Sequence, residues 1–210
     1  AESAYRKLYS DFCEKHGYYK AAFNFQNKIA KDKKVKESQY KVAMSLLNPK
    51  HNECTKNIKK GLEFLKLSAD QSYPDAEYEL GYSYIYGKYG QKRDFEKGIQ
   101  YLTAASRNDH LEATYLVGKI YFEGIGTIPD TEKSQTFFLK AAKRDHNKAK
   151  YYAFLNCDLD YYEKLDYLEE SAKSGYAKAQ FKYGDELIQN SFSEDPDYEK
   201  GIRYIKADEI

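Results

Sequence analysis

Ala76-Glu77-Tyr78-Glu79-Leu80-Gly81 is followed, 37 residues on, by Ala113-Thr114-Tyr115-Leu116-Val117-Gly118. Three looser copies share the pattern. They are Ser38-Gln39-Tyr40-Lys41-Val42-Ala43, Ala149-Lys150-Tyr151-Tyr152-Ala153-Phe154 and Ala179-Gln180-Phe181-Lys182-Tyr183-Gly184. The starts of the five copies lie 38, 37, 36 and 30 residues apart. A period of this size is the signature of a helical array. A second motif keeps step with the first: Lys60-Gly61-x-x-Phe64-Leu65, Lys97-Gly98-x-x-Tyr101-Leu102, Lys133-Ser134-x-x-Phe137-Phe138, Glu163-Lys164-x-x-Tyr167-Leu168 and Lys200-Gly201-x-x-Tyr204-Ile205. Each repeat therefore holds two helices, A and then B, joined by a loop.

The spacing has a physical reason. At 3.6 residues per turn, the small residue that opens helix A shares a face with the residues four and eight further on. Ala76, Leu80 and Tyr84 make one such stripe, and Ala113, Val117 and Tyr121 another. Gly81 and Gly118 each cost about 1 kcal/mol of helix propensity against Ala. Their recurrence at one position predicts close helix packing with no room for a side chain. Helix B carries small pairs for the same purpose: Ser68-Ala69, Ala105-Ser106, Ala141-Ala142 and Ser171-Ala172. The A-to-B loops contain the breakers Gly87, Gly90, Gly124, Gly126 and Pro129, and Asp94 and Asp130 are placed to cap the next helix. Repeat four is shorter, so Asp158 to Asp160 must turn tightly. Repeat five has a polar loop from Asn190 to Asp197. Ahead of the array, Tyr5 to Lys15 and Gly17 to Lys31 read as a further hairpin. Leu8, Phe12 and Cys13 form its first stripe, and Tyr18, Ala21, Ala22, Phe25 and Ile29 its second.

The predicted organisation is a helical hairpin over 1–36 and a repeat array over 37–210, divided at 37–74, 75–110, 111–146, 147–176 and 177–210, in one continuous domain. The composition agrees with a helical array, since 23 Tyr and 11 Phe accompany only 4 Pro. No run of eighteen apolar residues predicts a membrane span. Three widely spaced cysteines, Cys13, Cys54 and Cys157, do not make a disulfide framework, and no Asn-x-Ser/Thr site occurs. These features favour the cytoplasm, with the endoplasmic-reticulum lumen as the alternative if a signal peptide has been removed. The last B helix ends without a capping helix of the kind solenoids need. That predicts a segment of a larger protein, or a partner or second copy covering the C-terminal end.

The pattern Ala-x-Tyr-x-Leu-Gly-x-x-Tyr-x-x-Gly, then Asp-x-x-Lys-Gly-x-x-Tyr-Leu-x-x-Ala, resembles the Sel-one-like repeat, a branch of the tetratricopeptide-type α-solenoids. Residues 76–109 and 113–145 carry the resemblance best. Residues 38–73, 149–175 and 179–208 carry it more loosely. Residues 5–31 are closer to a plain tetratricopeptide hairpin. Ser38 in place of Ala, Phe154 in place of Gly, and the short loop of repeat four depart from the pattern. The resemblance implies an all-α, right-handed α-solenoid and a non-catalytic adaptor or scaffold. The roles implied for such adaptors include signalling, endoplasmic-reticulum-associated degradation (ubiquitin-ligase type), chitin-synthase regulation and bacterial host interaction. A cysteine-rich branch, with a disulfide in each repeat and hydrolase activity claimed for some members, is disfavoured because the cysteines here sit at no repeated position.

The sequence gives little sign of catalysis. No H-E-x-x-H, G-x-S-x-G or Walker motif occurs. His110 and His146 occupy equivalent repeat positions, which repeat copying explains better than metal binding. His51-x-x-Cys54 lacks a second ligand pair, and Gly124-Ile125-Gly126 lacks the strand and third glycine of a nucleotide fingerprint. No catalytic residue, metal site or cofactor is predicted.

A partner protein or peptide is expected on the concave face lined by the A helices. Offsets +2, +6 and +9 from the opening small residue point away from the buried stripe. They read Tyr40, Met44, Leu47; Tyr78, Tyr82, Ile85; Tyr115, Lys119, Phe122; Tyr151, Leu155, Asp158; Phe181, Asp185, Ile188. The candidate contacts are Tyr78, Tyr82, Ile85, Tyr115, Lys119, Phe122, Tyr151 and Leu155. Against this stands a purely structural role for the aromatics at +2. Charge supplies a second candidate surface. The formal net charge of +1 conceals +8 over residues 1–60 and −7 over 61–210. Lys31, Lys33, Lys34 and Lys36 form the densest basic patch. A short basic run on a chain that is otherwise acidic argues against nucleic acid. It leaves an acidic partner, an anionic surface, self-association or simple solvation. A regulatory segment that positions a partner enzyme is the alternative function.

Overall fold

The structure, a computed structural model, describes residues 11–31, 35–49, 54–189 and 196–206. Among the described residues all regular structure is helical, with no strand. After helical residues 11–15 come α1 (Tyr19–Ala30), α2 (Lys36–Leu47), α3 (Ile58–Ala69), α4 (Pro74–Tyr86), a 3-10 turn (Lys88–Gly90) and α5 (Phe95–Arg107). Then follow α6 (Leu111–Glu123), α7 (Thr131–Ala142), α8 (Asn147–Asn156), α9 (Tyr161–Lys173), α10 (Ala177–Gln189) and α11 (Pro196–Lys206). The chain forms two compact units, residues 1–110 and 111–210.

Helix A of each repeat packs on its own helix B: α2 on α3, α4 on α5, α6 on α7, α8 on α9 and α10 on α11. The predicted starts are visible as caps. The side chains of Asn57, Asp94 and Asp130 accept the backbone N–H three residues on, at 3.0, 3.1 and 3.0 Å. Asp160 does the same for the short fourth repeat, accepting from Tyr162 and Glu163. Lys97 and Lys133 fold back onto the cap carboxylates of Asp94 and Asp130, and those bonds hold both carboxyls below their ordinary pKa. Gly87 ends α4 with φ +70°, a left-handed conformation that costs glycine nothing.

The core follows the predicted stripe and extends beyond it. In the first unit Ala76 and Leu80 are buried, with Val42, Ala43, Leu47 and Leu65 in the same cluster. In the second, Phe138, Ala141, Ala149, Tyr152, Ala153 and Cys157 form one cluster, and Leu168, Ala172, Ala179 and Tyr183 another. Gly81 sits where the prediction requires a missing side chain: a Cβ there would lie 2.9 Å from the backbone nitrogen of Leu102. In the first four repeats the residue after the opening small residue is buried and polar. Gln39 donates to Ala30 O and receives Gln71, Glu77 receives Asn108, and Lys150 bridges Asp145 and Glu170 at 2.8 and 2.7 Å. Burial raises the Glu77 pKa despite the bond from Asn108. Of the N-terminal stripes, Cys13, Ala22 and Ile29 are buried, whereas Phe12 and Tyr18 are exposed. Leu8 and residues 190–195 of the fifth loop lie outside the described residues.

Candidate functional site

Six of the eight candidate contacts lie partly open on the A helices of their units. On α4, Tyr78 and Tyr82 are half-buried, with ring centroids 6.0 Å apart. On α8, Tyr151 is half-buried edge-on to Tyr176 at 5.4 Å, and Leu155 is 45% exposed. Lys119 is half-buried and paired with Glu123 at 3.6 Å, one turn along α6. Phe122 is 39% exposed and lies edge-on to Tyr152 at 5.5 Å.

The other two candidates are corrected. Ile85 is only 1% exposed, because its side chain enters the gap left by Gly98 on α5. Leu47 fills the corresponding gap at Gly61 and is equally buried. Offset +9 is thus core in the first two repeats, where helix B supplies glycine. In repeat three Ser134 stands at that position, its hydroxyl taken up by Thr131 O and Asn156, and Phe122 turns outward over Phe138 and Tyr152. Tyr115, 6% exposed, is also removed from the surface. It lies under the ring of His146 at 4.5 Å and against Phe138 and Tyr152. Burial raises the pKa of its phenol.

His146 and His110 do equivalent work. His146 accepts Ala149 N–H at 3.1 Å as an N-cap, meets Glu112 at 2.9 Å and stacks on Tyr115. His110 stacks on Tyr78 at 4.4 Å and meets Asp75 at 3.4 Å. Both are turn residues that fix the aromatic at +2. Among the described residues no group of three His, Cys, Asp or Glu is arranged to hold a metal ion. His51 lies outside the described residues, and Cys54 donates to Ser45 O. Of the basic patch, Lys31 is exposed, and Lys36 donates to the carbonyls of Gln71 and Ser72 just beyond α3. Lys33 and Lys34 lie outside the described residues.

Two features of the first unit escape the offset rule. Tyr86, one turn beyond Tyr82 and 38% exposed, extends the tyrosine row, with ring centroids 4.4 Å apart. It sits at offset +10, outside the rule, although its i, i+4 spacing from Tyr82 is plain in the sequence. Lys88 lies over the Tyr82 ring at 5.4 Å and donates to Glu79 at 2.7 Å. The other feature is a groove of about 570 Å³ lined by Tyr19, Phe23, Tyr40 and Met44 among others. It needs α1 beside α2, a juxtaposition that the repeat motif does not specify. No helix among the described residues is long and apolar enough to cross a membrane.

The fold has counterparts in known proteins. A crystal structure of a Sel1 repeat protein from Oxalobacter formigenes superposes with a TM-score of 0.82, at 20% identity, over 99% of this chain and 87% of that one. The protective antigen c5321 of uropathogenic Escherichia coli, which displays the same repeat fold, gives 0.80 at 18% identity, over 91% of this chain and 41% of that one. By sequence, 94 residues, 45% of the chain, are 33% identical to the Chitin synthase regulator SKT5 of Saccharomyces cerevisiae. Protein SHC1 of the same species is 34% identical over 86 residues, 41% of the chain. The matched segments make up only 13% and 16% of those two relatives. The family model described as Sel1 repeat matches residues 36–73, 74–110, 111–146 and 177–207, passing over the shortened fourth repeat. With most of its length matched, this chain belongs to the Sel1 repeat family.

Proposed function

We propose that the chain is a non-catalytic interaction module, an adaptor or scaffold that holds a partner protein or peptide on the faces of its A helices. The carrying observation is the row Tyr78, Tyr82 and Tyr86 on α4, which presents aromatic surface beyond what the packing of that helix uses. Phe122 and Leu155 give the second unit its own apolar surface. Tyrosine and phenylalanine are enriched in the buried centres of interfaces. A regulatory segment that positions a partner enzyme is the second reading, supported by the likeness to a chitin synthase regulator over nearly half of the chain. The free thiols Cys13, Cys54 and Cys157 suit a reducing compartment.

Immobilised chain is exposed to cell extract, and retained proteins are compared with those held by Tyr82→Ala/Phe122→Ala. Selective loss with unchanged circular dichroism is expected, and a chitin synthase among the lost proteins favours the second reading. An unchanged set of retained proteins on the folded double variant sinks the A-helix site.

A further inference from the structure

We infer that the tyrosine row of α4 receives a proline-rich segment in the polyproline II conformation, with an acidic residue at the end that meets Lys88. The inference rests on the interaction reading above and gives the partner its chemistry.

The rings of Tyr78, Tyr82 and Tyr86 are not stacked flat. Their planes are tilted by 44° and 40°, and the three rings line one open groove together with Glu79 and Lys88. Saturated pyrrolidine rings pack on such aromatic walls, and aromatic-lined grooves are the usual receptors of polyproline II segments. The dimensions agree. Centroid steps of 6.0 and 4.4 Å together span about one polyproline II turn, three residues at roughly 3.1 Å each. Two prolines three residues apart would then bracket Tyr82. At one end the row is buttressed by His110, stacked on Tyr78 with its plane 14° from parallel.

Charge decides between an uncharged and a cationic occupant. Tyrosine faces also attract ammonium groups, but here Lys88 already lies over Tyr82, 5.4 Å from the centroid. The Glu79 carboxylate paired with Lys88 is almost fully buried, so the exposed member at that end is the ammonium, which repels a second cation and attracts a carboxylate. Lys88 N–H groups serve Glu79 and the Tyr89 hydroxyl, and an ammonium carries three donors. Polyproline II leaves its own carbonyls without internal partners, so Lys88 also supplies what such a backbone lacks.

The test titrates a fluorescein-labelled peptide of two Pro-x-x-Pro turns followed by two aspartates with the whole chain, followed by anisotropy. One control peptide replaces the prolines with alanine, and another the aspartates with lysine. Binding of the first peptide is expected, with loss of about tenfold or more in affinity for Tyr82→Ala and for Tyr86→Ala. The lysine peptide should bind more weakly, and Phe181→Ala, in the other unit, should bind like wild type. Equal binding of the proline and alanine peptides overturns the inference. So does wild-type affinity in a folded Tyr86→Ala variant, whose ring is exposed enough to be removed without unfolding. If partner capture still depends on Tyr82 and Phe122 while the proline peptide does not bind, this inference fails and the adaptor reading stands.

Discussion

A Cβ placed on Gly98 would lie 2.6 Å from Cδ1 of Ile85. Helix B of the second repeat thus carries glycine because helix A fills the space with an isoleucine. Gly61 with Leu47, and Gly201 with Ile188, repeat the relationship at 2.7 and 2.9 Å.

Gly98→Ala therefore tests packing against propensity. In a helix interior Ala is favoured over Gly by about 1 kcal/mol. Here the added methyl meets Ile85 and, at 3.1 Å, the carbonyl oxygen of Gly81, which belongs to the backbone of α4. Overpacking costs about 1–3 kcal/mol, so the net effect should be a loss of stability in urea denaturation. Ile85→Ala in the same protein should restore part of the loss, since it removes the atoms that clash. Stabilisation by Gly98→Ala alone would refute the close approach.

The array was readable because two motifs recur in step, and each places small residues where helices touch. The site was less readable, and Ile85 and Phe122 show why. Both stand at offset +9, yet one is core and the other surface. The difference lies in another helix, with Gly98 opposite Ile85 and Ser134 at the matching place in repeat three. Reading the two motifs jointly would have separated them. Tyr86 was legible as an i, i+4 neighbour of Tyr82 but fell outside a rule built on three offsets. The groove lined by Phe23 and Tyr40 was not legible from the repeat, because it depends on the packing of a helix that precedes it.

The three thiols should differ sharply in reactivity. Cys157 is buried, and burial pushes its pKa up to about 11. Cys13 is buried as well, whereas Cys54 is half-buried. The thiolate is the nucleophile, so iodoacetamide at neutral pH should label Cys54 first and Cys157 only on unfolding. Peptide mapping by mass spectrometry reads the order. Early labelling of Cys157 in folded protein would contradict the packing of α8.

Glu169 on α9 ties down the last repeat. Burial alone would raise its pKa, but bonds from Tyr183, Lys200 and Lys173 outweigh this and bring it from 4.5 to about 2. The carboxylate accepts Tyr183 OH at 2.7 Å and Lys200 Nζ at 3.0 Å. A folded pKa below the unfolded one stabilises above the unfolded value, and the gain is lost as pH falls through the folded value. The contribution should be intact above about pH 5 and vanish between pH 4.5 and about 2. Its size is on the order of 2 kcal/mol once solvent screening is allowed for. Wild type and Glu169→Gln should accordingly differ in thermal midpoint at pH 6 and converge near pH 2. A constant gap across that window would show that the bonds to Glu169 do not depend on its charge.

Tyr89 accepts a strained backbone and returns two hydrogen bonds. Its φ is +60°, a region costly for a side chain of this size. Its hydroxyl donates to Glu79, whose carboxylate is almost fully buried, and accepts from Asn48 Nδ2 at 2.9 Å. The loop after α4 is thereby fastened to the end of α2, and Lys88 is held beside Tyr82. Tyr89→Phe keeps the ring and the strain and removes both bonds. Each bond contributes about 1 kcal/mol, and more where a buried charge loses a donor, so a loss of about 1–3 kcal/mol is expected. Tyr89→Gly removes the strain along with the bonds and should cost less than Tyr89→Phe despite losing the ring contacts. If Tyr89→Phe melts like wild type in calorimetry, the loop is held by Lys88 and Glu79 alone.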